Sequence, residues 1–266
     1  MHGIIDTHVH LDHLGDDGPA LLQAAVDVGV VAMIGNGVDP RRRALLKGAV
    51  PAGLCIGYAV GLHPQELPAL GDDDIEAAFV ALETRVHTEP DIVAIGECGL
   101  DARPGIGDTD DQRRRQLWVF QRHLRLVRTT ALPLIVHGVR RDGPLLQLLK
   151  DDLAAHGPLP GGGVWHGFSA SRDTMQLAVG LGLHISVGFM ALSDNARRLR
   201  EAIPAIPAHR LLVETDAPPL PPARIVDVIA AIATLRGTDA VSIAQQSADN
   251  ARALFDLSRC ASNPAS

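Results

Sequence analysis

Two histidines one residue apart, in Asp6-Thr7-His8-Val9-His10, follow the short apolar run Gly3–Asp6. If that run is a strand, side chains alternate with period two, so His8 and His10 face one side and can share a metal ion. The pair alone is unspecific, because 12 histidines are present and short motifs recur by chance. Four further groups occupy matching places. Glu97 ends the run Ile92-Val93-Ala94-Ile95-Gly96, His137 and His166 lie near the ends of two others, and Asp216 closes Leu211-Leu212-Val213-Glu214-Thr215. A buried carboxylate without a partner is costly, so a cation or donors are expected beside each acid. The alternative for such acids is a helix N-cap, which for Asp216, before Ala217-Pro218-Pro219, stands beside the ligand reading. Together, four imidazoles and two carboxylates suit one or two divalent ions, Zn²⁺ or Mn²⁺, with Mg²⁺ tolerated.

Residues scattered from position 8 to position 216 need a scaffold that gathers strand ends. The candidate strands are Gly3–Asp6, Val30–Gly35, Leu54–Gly61, Ile92–Glu97, Leu132–Gly138, Gly163–Phe168, His184–Phe189 and Leu211–Asp216. Amphipathic segments near 17–28, 39–50, 72–88, 110–130, 142–156, 171–181, 193–203 and 222–236 alternate with them, several opening on a capping residue or an acidic turn. Such alternation signals a buried parallel sheet. Eight units in 266 residues favour a closed barrel over a doubly wound open sheet. The expected fold class is therefore α/β, a (β/α)8 TIM barrel with one extra C-terminal helix near 240–255. Residues 1–258 are expected to form one domain, followed by a short tail, 259–266. All strand exits of such a barrel open on one face, where active sites sit. Neither G-x-G-x-x-G after the first strand nor G-x-x-x-x-G-K-[ST] occurs, so no nucleotide-binding fingerprint competes.

Composition narrows the class further. Net charge is −7, from 24 basic and 31 acidic residues, which does not suit a general nucleic-acid coat. Aromatics make up only 3%, too few for an extended base-stacking platform. No apolar run is long enough to span a bilayer, and the first residues lack a secretory pattern. Cys55, Cys98 and Cys260 are scattered, without a C-x-x-C pair, which argues against a disulfide framework or a cysteine zinc site. A cytoplasmic, monomeric protein is expected, with no membrane partner.

Four strings place the chain beside a known family. Asp6-Thr7-His8-Val9-His10-Leu11-Asp12, Gly61-Leu62-His63-Pro64, Gly96-Glu97-Cys98-Gly99-Leu100-Asp101 and Glu214-Thr215-Asp216-Ala217-Pro218 resemble the signatures of the TatD family, metal-dependent deoxyribonucleases on an amidohydrolase-like TIM barrel. The order and spacing match over nearly the whole chain, as far as Asn250 and Leu254-Phe255. The resemblance implies that His8, His10 and Asp216 hold one metal, and that Glu97 bridges to a second held by His137 and His166. Asp216 would take the proton of the attacking water, making Glu97 and Asp216 the catalytic carboxylates. His63 would sit behind the ligands or contact phosphate, and the alternative for it is the cap of a Pro-initiated turn. The implied activity is hydrolysis of DNA or RNA phosphodiesters, from a 3′ end, with two divalent metal ions. Arg103, Arg140, Arg141 or Arg172, all after strands, could clamp phosphates, and Arg140 is the one carried forward with His63 as a substrate contact.

The chain departs from the family pattern around the ligands. After the fifth strand it has His137-Gly138-Val139-Arg140 in place of H-C-R or H-x-R, and after the sixth His166-Gly167-Phe168 in place of H-C-F. Gln65 stands where the family often has a second histidine, and Pro219-Leu220-Pro221-Pro222 replaces the usual aromatic and Asn-Glu-Pro segment. Ligands kept and substrate loops altered leave a second reading, a metal hydrolase of a small amide, ester or lactone. A third is a non-catalytic barrel in a larger assembly.

Overall fold

The structure, a computed structural model, describes residues 3–43 and 45–262. Eight parallel strands follow one another around the sheet in chain order. They are β1 Ile4–Val9, β2 Val30–Asn36, β3 Cys55–Val60, β4 Ile92–Asp101, β5 Leu134–Val139, β6 Gly163–Trp165, β7 Leu183–Val187 and β8 Leu211–Val213. The ring closes between β8 and β1, where Val9 bridges Ala217. There, the Asp216 and His10 amides each donate across the seam at 3.0 Å, to the carbonyls of His8 and Ala217. The helices are α1 Gly18–Asp27, α2 Asp72–Thr88, α3 Asp110–Thr130, α4 Asp142–His156, α5 Arg172–Gly180, α6 Arg197–Ala202, α7 Ile225–Arg236 and α8 Ala240–Leu254. This is the TIM barrel expected from the alternation, and no helix among the described residues is long and apolar enough to cross a membrane.

The helix expected near 39–50 does not form. Asp39 accepts from the Arg41 amide at 2.9 Å, an Asx turn, and the Pro40 and Arg42 carbonyls accept from Arg85 of α2. Carbonyls a helix would use internally are thus taken by a distant guanidinium, and Gly48, Pro51 and Gly53 discourage restarting one. Ala44 lies outside the described residues. The remaining expected helices are present; that at 193–203 shortens to Arg197–Ala202, and that at 222–236 starts at Ile225 after a 3₁₀ turn.

Local chemistry explains the helices that flank the site. α3 opens on a capping box: the Gln112 amide donates to Thr109 Oγ1 and the Thr109 amide to Gln112 Oε1. One face of α3, including Val119, Phe120, His123, Leu124 and Val127, is buried on the barrel. α8 starts at Asp239, which accepts from the Ser242 amide at 2.8 Å. Its Ala248, Ala251 and Leu254, with Phe255, join Ile5, Ile34, Val93, Ile135, Val164 and Leu212 in one cluster, sealing the pole where the strands begin. Asn250 fastens this cap by donating to the Ala208 and Leu211 carbonyls, both at 2.8 Å. Beyond it, Ala261–Ser262 (β9) pairs antiparallel with β3, so the described part of the 259–266 segment is joined to the barrel edge.

Candidate metal centre

Irregularities in two strands aim the central ligands inward. Along β4 and β5, Ile95 pairs with Leu134 but Cys98 with Val136, so β4 carries one extra residue there, and Glu97 lies within this bulge. Gly99, with φ +154, lies so close to β5 that an added Cβ would stand 1.9 Å from the His137 carbonyl oxygen. β1 shifts similarly against β2 between Asp6 and Val9, the interval that contains His8. The buried Asp6 carboxylate holds the seam beside it, accepting from Thr215 Oγ1 at 2.6 Å and from the Thr215 amide at 3.0 Å. Burial pushes Asp6 up to about 7, against the hydrogen bonds from Thr215 and His8.

At the opposite pole from α8, five imidazoles surround Glu97. Its Oε1 lies 3.1 Å from His63 Nε2, 2.6 Å from His137 Nδ1 and 2.5 Å from His166 Nε2. Its Oε2 lies 3.2 Å from His8 Nε2 and 3.6 Å from His10 Nε2. Asp216 Oδ1 stands 3.6 Å from His10 Nε2 and 3.9 Å from His8 Nε2. All six expected ligands therefore meet around one centre, and His63 joins them. Arg140 does not: it is exposed, has φ +56, and lines neither cavity at the mouth.

Partners behind the ring fix which imidazole nitrogen faces inward. His10 donates from Nδ1 to the Asn36 carbonyl at 3.0 Å, which turns the Nε2 lone pair toward Glu97 and Asp216. His137 donates from Nε2 to Asp101 Oδ2 at 3.0 Å, which leaves its Nδ1 lone pair facing Glu97. His63 is the reverse. Its Nδ1 accepts from the Gln65 amide at 3.0 Å, so Nε2 carries the proton and donates to Glu97. His166 stacks on His8 at 3.8 Å, and its Nδ1 lies 3.7 Å from Glu214 Oε1, an oxygen that accepts from the Gly167 amide.

Lone pairs converging on a carboxylate repel one another unless a cation lies among them. Both ring nitrogens of His8, Glu97 Oε2, His166 Nδ1 and Glu214 Oε2 are buried without a hydrogen-bond partner. Three groups, His8-His10-Glu97, His63-Glu97-His137 and His8-His166-Glu214, place their ligand atoms within 4.8 Å of one another. Nitrogen and oxygen donors in this number fit a divalent ion of the zinc or manganese kind. Electrostatics agrees. Burial would raise Glu97, yet His166, His63 and His8 pull it well below the usual carboxylate range. Burial also opposes charge on His166, but Glu97 and Glu214 raise it well above an ordinary imidazole. His63, by contrast, is lowered to about 4 by burial.

Two cavities meet at this mouth. One, about 360 Å³, runs past Val139, Phe168, Phe189 and Met190 to Glu214 and Asp216. The other, about 290 Å³, lies over His10, His13, His63 and Glu97, with Pro218 and Pro219 on its rim. A larger groove of about 630 Å³ between α2 and α3, where Arg122 covers Phe79, contains none of the converging ligands.

A family model described as TatD related DNase matches residues 5–256. The chain belongs to this family. It is 34% identical over 265 residues to the uncharacterized metal-dependent hydrolase YjjV of Escherichia coli K12, covering 95% of this chain and 98% of that one. The crystal structure of that TatD homolog superposes with a TM-score of 0.82 at 32% identity, over 96% of this chain and 99% of the other. A protein of Citrobacter koseri named 3'-5' ssDNA/RNA exonuclease TatD is 30% identical over 256 residues, 91% of this chain and 94% of its own.

Several members of the site escaped the sequence reading. Asp101 lay within the quoted G-E-C-G-L-D string, and its even spacing from Glu97 along a strand was the available signal. Glu214, beside Asp216 in E-T-D, carried no comparable sign. Asn36 acts through its carbonyl, which residue type does not reveal. His123, on α3, accepts from the Leu62 amide at 3.1 Å and so holds the backbone next to His63.

Proposed function

We propose that this TatD-family chain is a divalent-metal-dependent hydrolase that cleaves phosphodiester bonds of single-stranded DNA or RNA from the 3′ end. The observation carrying this reading is the division of Glu97 between two sets of imidazoles, one on each carboxylate oxygen, the arrangement expected of a bridge between two ions. His8, His10 and Asp216 would hold one ion, and His137 and His166 the other. The relatives named as 3′–5′ exonucleases support the choice of polymer and end. Divalent ions bound there would supply Lewis acidity toward water and a phosphoryl oxygen.

The protein's own groups do the rest. Burial raises Asp216, but His10 beside it and the charge of His8 hold it below the usual carboxylate value, so it is ionised at neutral pH. With its side chain 24% exposed at the junction of both cavities, it is the group placed to accept a proton from an attacking water. His63, neutral with its proton on Nε2, can donate a hydrogen bond and cannot serve as base from that atom. The reading includes a monomer working in the cytoplasm.

The test pairs metal analysis with 3′- and 5′-labelled single strands of DNA and RNA, beside a generic phosphodiester and a carboxylic ester. Early loss of the 3′ label, abolished by chelation and restored by Zn²⁺ or Mn²⁺, is expected. The apolar wall of Val139, Phe168, Phe189 and Met190 favours the second reading, a small ester, amide or lactone. Rapid ester turnover with both strand labels intact would establish that one instead.

A further inference from the structure

We propose that Arg103 forms an anion subsite for the scissile phosphoryl group where the two cavities join, and that Asp101 ties this subsite to His137. The proposal rests on the phosphodiesterase reading above. Arg103, His137, His166 and Asp216 line both cavities, and among the described residues Arg103 is the only lysine or arginine that lines either. The rest of the titratable lining there is imidazole or acidic, the acids being Glu97, Glu214 and Asp216. An anionic substrate entering a chain of net charge −7 therefore meets one fixed cation at this mouth.

Arg103 is also held in a defined pose. Its Nε donates to Asp101 Oδ2 at 2.7 Å, Nη2 lies in ion-pair contact with the same oxygen at 2.6 Å, and its backbone amide donates to Oδ1 at 2.7 Å. The same Oδ2 accepts from His137 Nε2 at 3.0 Å. A guanidinium has five N–H donors. Only the Nε–H is given to Asp101 as a hydrogen bond, so the terminal nitrogens keep donors for phosphoryl oxygens. An arginine present only to neutralise Asp101 would be buried with it, yet the Asp101 side chain is 0% exposed and that of Arg103 45%. Because the fork is already ordered, little side-chain freedom is left to lose when an anion binds. Asp101 is the positioning residue: through the single oxygen Oδ2 it both holds the guanidinium at the cavity and sets the inward nitrogen of His137.

The experiment compares metal-loaded wild type with Arg103→Gln, Arg103→Lys and Asp101→Asn, at matched metal content for the two Arg103 variants. Binding of inorganic phosphate is measured by calorimetry, and KM and kcat with a thymidine dinucleotide and with p-nitrophenyl acetate. For Arg103→Gln, phosphate Kd and dinucleotide KM should each rise about tenfold or more, as for a lost charge-assisted hydrogen bond, while the KM for the neutral ester stays within about twofold. Arg103→Lys, which keeps the charge without the fork, should fall between. Asp101→Asn should weaken phosphate binding and release metal faster to a competing chelator. Phosphate binding unchanged in Arg103→Gln, or equal losses of kcat on both substrates with KM unchanged, would overturn the subsite. Unaltered metal release in Asp101→Asn would overturn the tie to His137. Wild type that turns over only the ester, with phosphate affinity still lost in Arg103→Gln, would defeat the phosphodiesterase reading and leave the subsite standing.

Discussion

Glu97 is the residue on which the others depend, because both its oxygens are engaged by imidazoles from other strands. Replacing it with Gln keeps the shape and removes the charge that offsets a cation. Metal analysis of Glu97→Gln should show loss of bound metal, and turnover should fall by about 10³ or more, the scale on which transition-state charge stabilisation is felt. Metal retained at wild-type stoichiometry would deny Glu97 its bridging place. Asp216→Asn should behave differently. It removes the proposed proton acceptor at the edge of the centre, so turnover should fall by about 10² to 10⁴ while most of the metal stays. Normal hydrolysis by this variant would assign the proton to another group. At this scale the convergence of six candidate ligands was legible, because each interrupts or ends an apolar run with a residue costly to bury alone. The groups that orient them were less so. Asn36 works through a backbone carbonyl, and Glu214 and Asp101 matter through histidines distant in sequence.

At the scale of elements, placement depends on how strands and helices press together. Gly99→Ala should disturb the pairing of β4 with β5, since its Cβ would clash with the His137 carbonyl oxygen and its φ of +154 suits glycine. Loss of several kcal/mol in denaturant unfolding, together with metal loss, is expected. Stability unchanged within about 0.5 kcal/mol would mean that the two strands can separate freely. α3 makes a different contribution through His123, which burial lowers to about 4 from an ordinary 6.5. Between those values the unfolded chain binds a proton that the folded chain refuses. Stability therefore rises with pH through that window and is flat, for this residue, above it. Acidification across the window should cost roughly 3 kcal/mol from His123. Urea titrations at pH 4.5 and 7 should show a smaller difference in His123→Gln; an equal difference would place the acid sensitivity elsewhere, with His184, also lowered to about 4 by burial, the next residue to replace. The 39–50 segment shows where element reading fails. Its local pattern admits a helix, but Arg85, more than forty positions away, occupies the carbonyls.

For the whole molecule, the barrel could be read from the count and order of its units, since eight apolar strands separated by helices admit few other closures. Function and closure then fall at opposite poles. The converging side chains stand where strands end, and α8 with Phe255 covers where they begin. Phe255→Ala should lower unfolding free energy by about 3 to 5 kcal/mol, the usual result of emptying an aromatic core position. Its kcat at a temperature well below melting should match wild type; a large drop would show that the two poles communicate. This separation has a practical side. Among the described residues the sealed pole shares no side chain with the mouth, so heat tolerance can be raised by redesigning the interface beneath the last helix, with the chemistry at the other end left as evolution set it.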